Sequence, residues 1–372
     1  MRGPEHEHLA GILRGFDIPG DLVLIEPFGG GHINETLRST WEGKGSRRRY
    51  IHQRINRQVF RKPEEVMDNI ARVLGHLRGR ILAAGQTEPE RRCMTLVPAR
   101  GGGLFLRDGE GEYWRSYAFI EGTRSRDLIK SDSQAVAIAR AVGGFLALVA
   151  DLPAPRLHDT IPFFHDAPSR YRLFRTALAE DASGRAASVR SETDWLLENE
   201  ERTCAIVSAM EGGGVPERIT HNDTKANNIL LDERTDEALC VVDLDTVMPG
   251  SLLYDFGDLV RTSAGTALED EPDALRMAFL PSRFRALVAG FLEGTAGIMT
   301  QGERALLPEA GRIITTIMGL RFLTDYLSGD SYYRVHRPGH NLDRTRTQIA
   351  LVRSMDTRMG EIIAACEGAP SS

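Results

Sequence analysis

Residues 219–245 hold the side chains of this chain best suited to chemistry: Ile-Thr-His-Asn-Asp-Thr-Lys-Ala-Asn-Asn-Ile-Leu-Leu, then Val-Val-Asp-Leu-Asp from 241. His221, Asp223, Lys225 and Asn228 follow the order H-x-D-x-K-x-x-N, and a second apolar run ends in Asp243. Asp223 can orient an acceptor hydroxyl and take its proton. Lys225 can neutralise charge that builds on a transferred phosphoryl group. Asn228 and Asp243 offer hard oxygen ligands to Mg²⁺. Asp245, on the same face of an extended strand as Asp243, could reach a second ion. These are the parts needed to move a phosphoryl group from ATP to a hydroxyl.

The plain alternative is a satisfied core histidine followed by turn asparagines. Against it, Ile229 to Leu231, a polar turn at Asp232-Glu233-Arg234 and the run Ala238 to Val242 spell a hairpin ending in an acid. Such a hairpin carries metal ligands behind the catalytic loop of kinases. Asp255-Phe256-Gly257 lies 27 residues after Asn228, whereas Asp243 follows it by 15. Asp243 is therefore the better ligand, with Asp255 and Asp258 as acids that brace the loop or cap the next helix.

Upstream elements must position a nucleotide. Leu22 to Pro27 reads as a strand, and Gly29, Gly30 and Gly31 then turn the chain into a second one, letting backbone amides approach phosphates. Arg49 to Asn56 reads as a third strand, where a kinase places a phosphate-pairing lysine. Here Arg54 is the substitute by charge, with Gln53 on the opposite face as its rival. Pro63 opens an amphipathic helix to Arg80, with Glu64 and Glu65 as partners for the third-strand base. Tyr113 to Ile120 leads into Glu121-Gly122-Thr123, a hinge whose backbone would bond the adenine edge, so Glu121 joins the nucleotide set. Helices are expected near 132–150, 170–181, 191–211, 254–263, 273–280, 282–299, 302–328 and 341–366, with 182–191 as a polar connection.

The fold class expected is α+β and bilobal, like a protein kinase. A small β-rich N-lobe (1–120), a hinge (121–123) and a large mainly helical C-lobe (124–372) would hold ATP in the cleft between lobes. At 372 residues, 26% charged and a net charge of −6, the chain suits a two-lobed globular protein with no attraction to nucleic acid or membrane. Cys93, Cys204, Cys240 and Cys366 show no metal or disulfide spacing, which fits a reducing cytoplasm. The first 20 residues lack an apolar signal segment, and Ala135 to Val149, interrupted by Arg140, is too short to span a bilayer.

With these motifs in place, the chain resembles the aminoglycoside-phosphotransferase and choline-kinase superfamily, and within it the N-acetylhexosamine 1-kinase type. The resembling segments are GGGHINET (29–36), QRIN (53–56), 59–70, TIPFFHDAPSR (160–170), THNDTKANNILLD (220–232), VVDLDTVMPGSLLYDFGDLVR (241–261) and GLRFLTDYLSGDSYY (319–333). The resemblance implies ATP-dependent phosphorylation of the anomeric hydroxyl of an N-acetylhexosamine. Asp223 is then the base, Asn228 and Asp243 hold Mg²⁺, and Arg321 and Tyr332 contact the sugar. Arg321 and Asp325 lie four apart on an expected helix, so they either pair with each other or both face the sugar beside Tyr332. Rival readings are a kinase of an aminoglycoside, choline or homoserine, a protein kinase without its A-P-E segment, and a nucleotide-binding pseudoenzyme.

Overall fold

A computed structural model describes residues 4–29, 33–43 and 45–368. The chain divides into a first compact unit ending at Thr123 and a second beginning at Arg124.

The first unit opens with helix α1 (Pro4–Leu13), which the polar composition of this stretch concealed. Strands β1 (Asp21–Pro27), β2 (Glu35–Gly43) and β3 (Ser46–Arg54) follow, then α2 (Pro63–Ala83) and the single turn α3 (Pro89–Arg92). The unit closes with β4 (Leu96–Val97), β5 (Leu106–Arg107) and β6 (Tyr113–Ala118). The sheet is antiparallel in the order β1-β2-β3-β6-β4, with β5 also on β6. Leu13, Phe16, Trp41, Tyr50 and Trp114 form its core with α1. Register places Thr36, Gln53 and Arg115 side by side, and likewise Leu37, His52 and Ser116. Helix α2 buries Val66, Ile70, Val73, Leu74 and Leu77, the expected stripe, and runs three residues past Arg80.

The second unit is mainly helical. After the short β7 (Thr123–Arg124) come α4 (Asp132–Val149), α5 (Ala167–Glu180), α6 (Arg190–Glu198), α7 (Glu200–Thr203) and α8 (Ala205–Glu211). The single helix expected over 191–211 is thus three pieces, and the connection before it buries Val189 completely. Strands β8 (Arg218–Thr220), β9 (Ile229–Asp232), β10 (Ala238–Val241) and β11 (Met248–Gly250) make two small antiparallel pairs, β8 with β11 and β9 with β10. The chain ends with α9 (Leu252–Ser263), α10 (Pro281–Gly294), α11 (Gln301–Leu327), α12 (His340–Asp356) and α13 (Met359–Glu367). The helix expected at 273–280 is only a 3-10 turn at Ala274–Arg276, and the last long helix breaks between α12 and α13.

Helix α4 has the length and mean apolarity of a bilayer span, but half of it is buried inside this unit, against α10. That crossing depends on Gly290, where any Cβ would meet the Val136 carbonyl oxygen at 2.2 Å. Helix α11 starts with a capping box, Thr300 and Glu303 bonding each other's backbone N–H. Its far end buries Leu320, Leu323 and Leu327 against Tyr171 and Phe174 of α5. A residue near the C-terminal end of α11 is therefore held on both sides by packed helices.

Candidate active site

The β8–β11 pair and α9 hold the loop 221–228. Thr220 faces Met248 across the pair, and Gly250 leaves room for the Thr220 hydroxyl and the Asn222 amide, which a Cβ would meet at 2.5 and 2.9 Å. Asn222 takes a left-handed conformation, φ 65°, which asparagine tolerates better than most residues. Three groups over-determine it. Its side chain donates to the Thr246 carbonyl at 3.0 Å. Buried Asp255 accepts the backbone N–H of Asn222 (2.6 Å) and of His221 (2.8 Å). His165 Nε2 donates to the Asn222 carbonyl at 2.9 Å. Asp255 is the brace, and burial pushes its carboxyl up to about 6.

His221 is satisfied on both ring nitrogens. Nε2 donates to the Val242 carbonyl (2.9 Å) and Nδ1 accepts the Asp223 N–H (3.3 Å), so it ties the loop to the chain entering Asp243. Asp223 Oδ2 accepts from Lys225 Nζ at 2.8 Å and from Asn228 Nδ2 at 3.2 Å. Burial pushes the Asp223 carboxyl up, but the Lys225 ammonium more than offsets this and holds it below the usual carboxylate range. Burial opposes the charge on Lys225 in turn, yet Asp223 and Asp243 keep that ammonium above the ordinary lysine range. Asp223 is thus ionised through the neutral range and suited to accept a hydroxyl hydrogen. Asp258 pairs with Arg261 at 2.8 Å beneath the loop.

The structure separates the three residues that the sequence grouped as sugar contacts. Asp325 is not paired with Arg321, and it does not face outward. Its Oδ1 accepts the N–H groups of Ser331 and Tyr332 (2.9 and 2.8 Å), and its Oδ2 accepts Tyr333 N–H and the Asn341 amide (2.9 and 2.8 Å). The expectation of a substrate contact at Asp325 is corrected: this carboxylate is spent on shaping the loop after α11. Arg321 is 7% exposed and lies over the Phe164 ring at 4.5 Å, with Tyr333 at 5.7 Å and Tyr332 at 6.0 Å. Tyr332 is 43% exposed, so it retains a face for a ligand.

Sequence reasoning placed Tyr332 beside Arg321 but assigned no role to its other neighbours, Phe164, His165, Arg170 and Tyr333. Arg170, in the first turn of α5, donates through Nε to the Phe164 carbonyl at 3.2 Å. Burial, and then Arg321, lower its pKa to about 10. A cation in the first turn of a helix works against the dipole, and that was the readable signal. His165, packed between Phe164 and Tyr254, links this cluster to Asn222 beside Asp223.

Residues 24–287 match the model of the phosphotransferase enzyme family, APH. The chain belongs to that family. This phosphotransferase also resembles solved structures at identities that speak to fold alone. An aminoglycoside phosphotransferase from Alicyclobacillus acidocaldarius aligns with TM-score 0.60 and 13% identity, over 99% of this chain and 97% of that one. Spectinomycin phosphotransferase in complex with ADP and spectinomycin aligns at 0.61 and 11%, over 95% and 98%. Choline kinase from Cryptosporidium parvum aligns at 0.60 and 15%, over 98% and 99%. The fold class is therefore kinase-like, a small antiparallel-sheet unit and a large helical one.

For the metal that phosphoryl transfer calls for, the donor set of this phosphotransferase fits a loosely held Mg²⁺. Asn228 commits its amide N–H groups to Asp223, so its side-chain oxygen is the end that would meet a metal ion. Asp243, in a left-handed conformation (φ 63°), lies beyond the end of β10. Among the described residues no group of three or more His, Cys, Asp or Glu encloses a metal, so an ion held here would take its remaining ligands from nucleotide phosphates and water. Asp245 is corrected in one respect. It is 3% exposed in a 3-10 turn, Leu244–Thr246, so the strand-face argument for a second ion fails.

On the nucleotide side, Gly29 has φ +74° with open space around its Cα, while Gly30 and Gly31 lie outside the described residues. Arg54 pairs with Glu35 at 2.7 Å, both half-exposed, and not with α2, whose Glu64 and Glu65 bond Tyr113 and Lys62. Gln53 accepts two bonds from Arg115, at 3.0 and 2.8 Å, and Arg115 is 1% exposed. Glu121 bonds Arg49. None of these side chains reproduces the strand-to-helix ion pair expected from the sequence.

Proposed function

We propose that this phosphotransferase uses ATP to phosphorylate the anomeric hydroxyl of an N-acetylhexosamine. The observation that carries the reading is charge at the acceptor side. Two guanidiniums, Arg321 and Arg170, stand among Phe164, Tyr332 and Tyr333, and His165 connects them to the residue before Asp223. A cationic acceptor such as choline or an aminoglycoside would need acids or an uncrowded aromatic cage here, and two arginines repel it. A neutral sugar with hydroxyl and carbonyl oxygens accepts their hydrogen bonds.

In this reading the ionised Asp223 carboxylate accepts the hydrogen of the anomeric hydroxyl and fixes its lone pair toward the γ-phosphorus. The new oxygen–phosphorus bond forms as the bond to the ADP oxygen breaks, and the hydroxyl proton passes late to Asp223. A carboxylate held below the usual range by Lys225 is a weak base, which suits orienting an acidic anomeric hydroxyl. Lys225 also faces the charge gathering on the transferred group. Asn228 and Asp243 would hold Mg²⁺, which neutralises phosphate charge when bound. Gly29 to Gly31 and the Glu121 segment are assigned to the nucleotide.

The experiment is a coupled assay of ADP release on N-acetylhexosamines, hexoses, choline and aminoglycosides. Turnover is expected to be highest on the N-acetyl sugars, weaker on the parent hexoses, and negligible on choline and aminoglycosides. Efficient turnover of choline or an aminoglycoside would overturn the reading.

A further inference from the structure

Three buried polar atoms around Arg321 have no hydrogen-bond partner among the described residues: Arg170 Nη2, Tyr333 Oη and His165 Nδ1. Their placement is not loose. Arg170 is anchored through Nε to the Phe164 carbonyl at 3.2 Å, and Tyr333 through its N–H to Asp325 at 2.9 Å and its ring on Phe322 at 4.8 Å. His165 is anchored through Nε2 to the Asn222 carbonyl and through its ring to Phe164 at 4.5 Å. The nearby acids are already engaged, Asp166 capping α5 through the Ser169 N–H and Glu269 pairing with Arg261. Leaving three buried polar atoms unmatched is costly, so a group that completes all three at once is favoured to bind there.

Their chemistry specifies that ligand. Arg170 Nη2 and Tyr333 Oη are donors. His165 must carry its hydrogen on Nε2 to meet a carbonyl oxygen at 2.9 Å, so neutral Nδ1 is left as an acceptor. Burial, lowering its pKa to about 3, keeps the ring neutral. A carboxylate or phosphate would set oxygen lone pairs against Nδ1, and an ammonium would face two guanidiniums. One neutral group presents both an acceptor oxygen and an N–H, the secondary amide. Resting on the N-acetylhexosamine reading above, we infer that Arg170, Tyr333 and His165 form a subsite for the N-acyl group. Arg170 and Tyr333 donate to its carbonyl oxygen and His165 accepts its amide N–H.

The test compares kcat/KM of the protein on an N-acetylhexosamine, its parent hexose, the free-amine hexosamine and a hexuronic acid. Tyr333→Phe removes one unpartnered hydroxyl, and Arg170→Lys keeps charge but loses the fork. Each should lower the N-acetyl to parent-hexose ratio at least fivefold. An independent arm uses wild-type protein and N-methylates the sugar amide, which should also cost fivefold or more. Unchanged ratios, or equal losses on every sugar, overturn the subsite while leaving the functional reading intact. A preference of the wild type for the uronic acid would replace the amide by an anion. No turnover of any N-acetylhexosamine would sink the functional reading and the subsite with it.

Discussion

The loop around Asp223 and the cluster around Arg321 lie in the same helical unit, joined by the His165–Asn222 hydrogen bond, and they are built on opposite principles. In the loop the polar groups around Asp223 are spent, with Asn227 Oδ1 left over at its edge. Asp223 on Lys225 and Asn228, His221 on Val242 and Asp223, and Asn222 on Asp255 and Thr246 make a closed network. Around Arg321, buried polar atoms are left open and the rings are partly bare. A satisfied network fixes geometry for a reaction that never changes. An unsatisfied one leaves donors and acceptors open, and in the proposed reading those atoms select the acceptor.

Substitutions can break or sharpen this contrast. The largest effect is expected in the loop, where Asp223→Asn keeps volume and fold but removes the accepting charge. Its Tm should stay near wild type while turnover falls roughly 10²-fold or more. Near-normal turnover would remove Asp223 from the chemistry. Asp243→Ala should abolish turnover at unchanged Tm, whereas Asp255→Ala strands the N–H groups of His221 and Asn222 and should lower Tm first. The reverse pattern in paired thermal and kinetic assays would move the metal site to Asp255.

In the acceptor cluster, Arg321→Ala should cut kcat/KM for an N-acetylhexosamine more than tenfold, about 1.4 kcal/mol of transition-state binding, with ATP affinity little changed. Asp325→Ala should act by loosening the 331–333 loop, raising sugar KM and lowering Tm together; a kinetic loss at wild-type Tm would restore it as a direct contact. The smallest effect concerns pH. The Asp255 carboxyl titrates near 6 when folded and near 3.8 otherwise, so the folded state binds more protons between those values. Its contribution to stability is therefore full below about 3.8 and is lost as pH rises through about 6. Tm measured across pH 4–7 should show this fall in wild type, and Asp255→Asn should flatten it.

Much of this arrangement was legible because it is local. The H-x-D-x-K-x-x-N loop, its flanking strands and the α2 stripe follow from spacing and period, and the structure places them close to expectation. What stayed hidden depends on long-range placement. Asp325 reads as one of a helical pair, and only the return of the 331–333 backbone shows its oxygens taken. Arg115 is 62 residues from Gln53, and Arg170 is 151 from Arg321, so no periodicity could join them. Asp245 reads as a strand residue because a left-handed aspartate at 243 leaves no mark in an apolar run. Helix α1 was missed because three buried residues, Ala10, Ile12 and Leu13, are too few to outweigh its charged ones.

The most direct test of the central claim is to identify the product. Purified protein, ATP, Mg²⁺ and an N-acetylhexosamine labelled at the anomeric carbon would be followed by ³¹P and ¹³C NMR. Phosphorus coupled to the anomeric carbon, formed in step with ADP, is the expected result. Phosphate on another hydroxyl, or ADP released only with choline or an aminoglycoside present, would contradict the assignment.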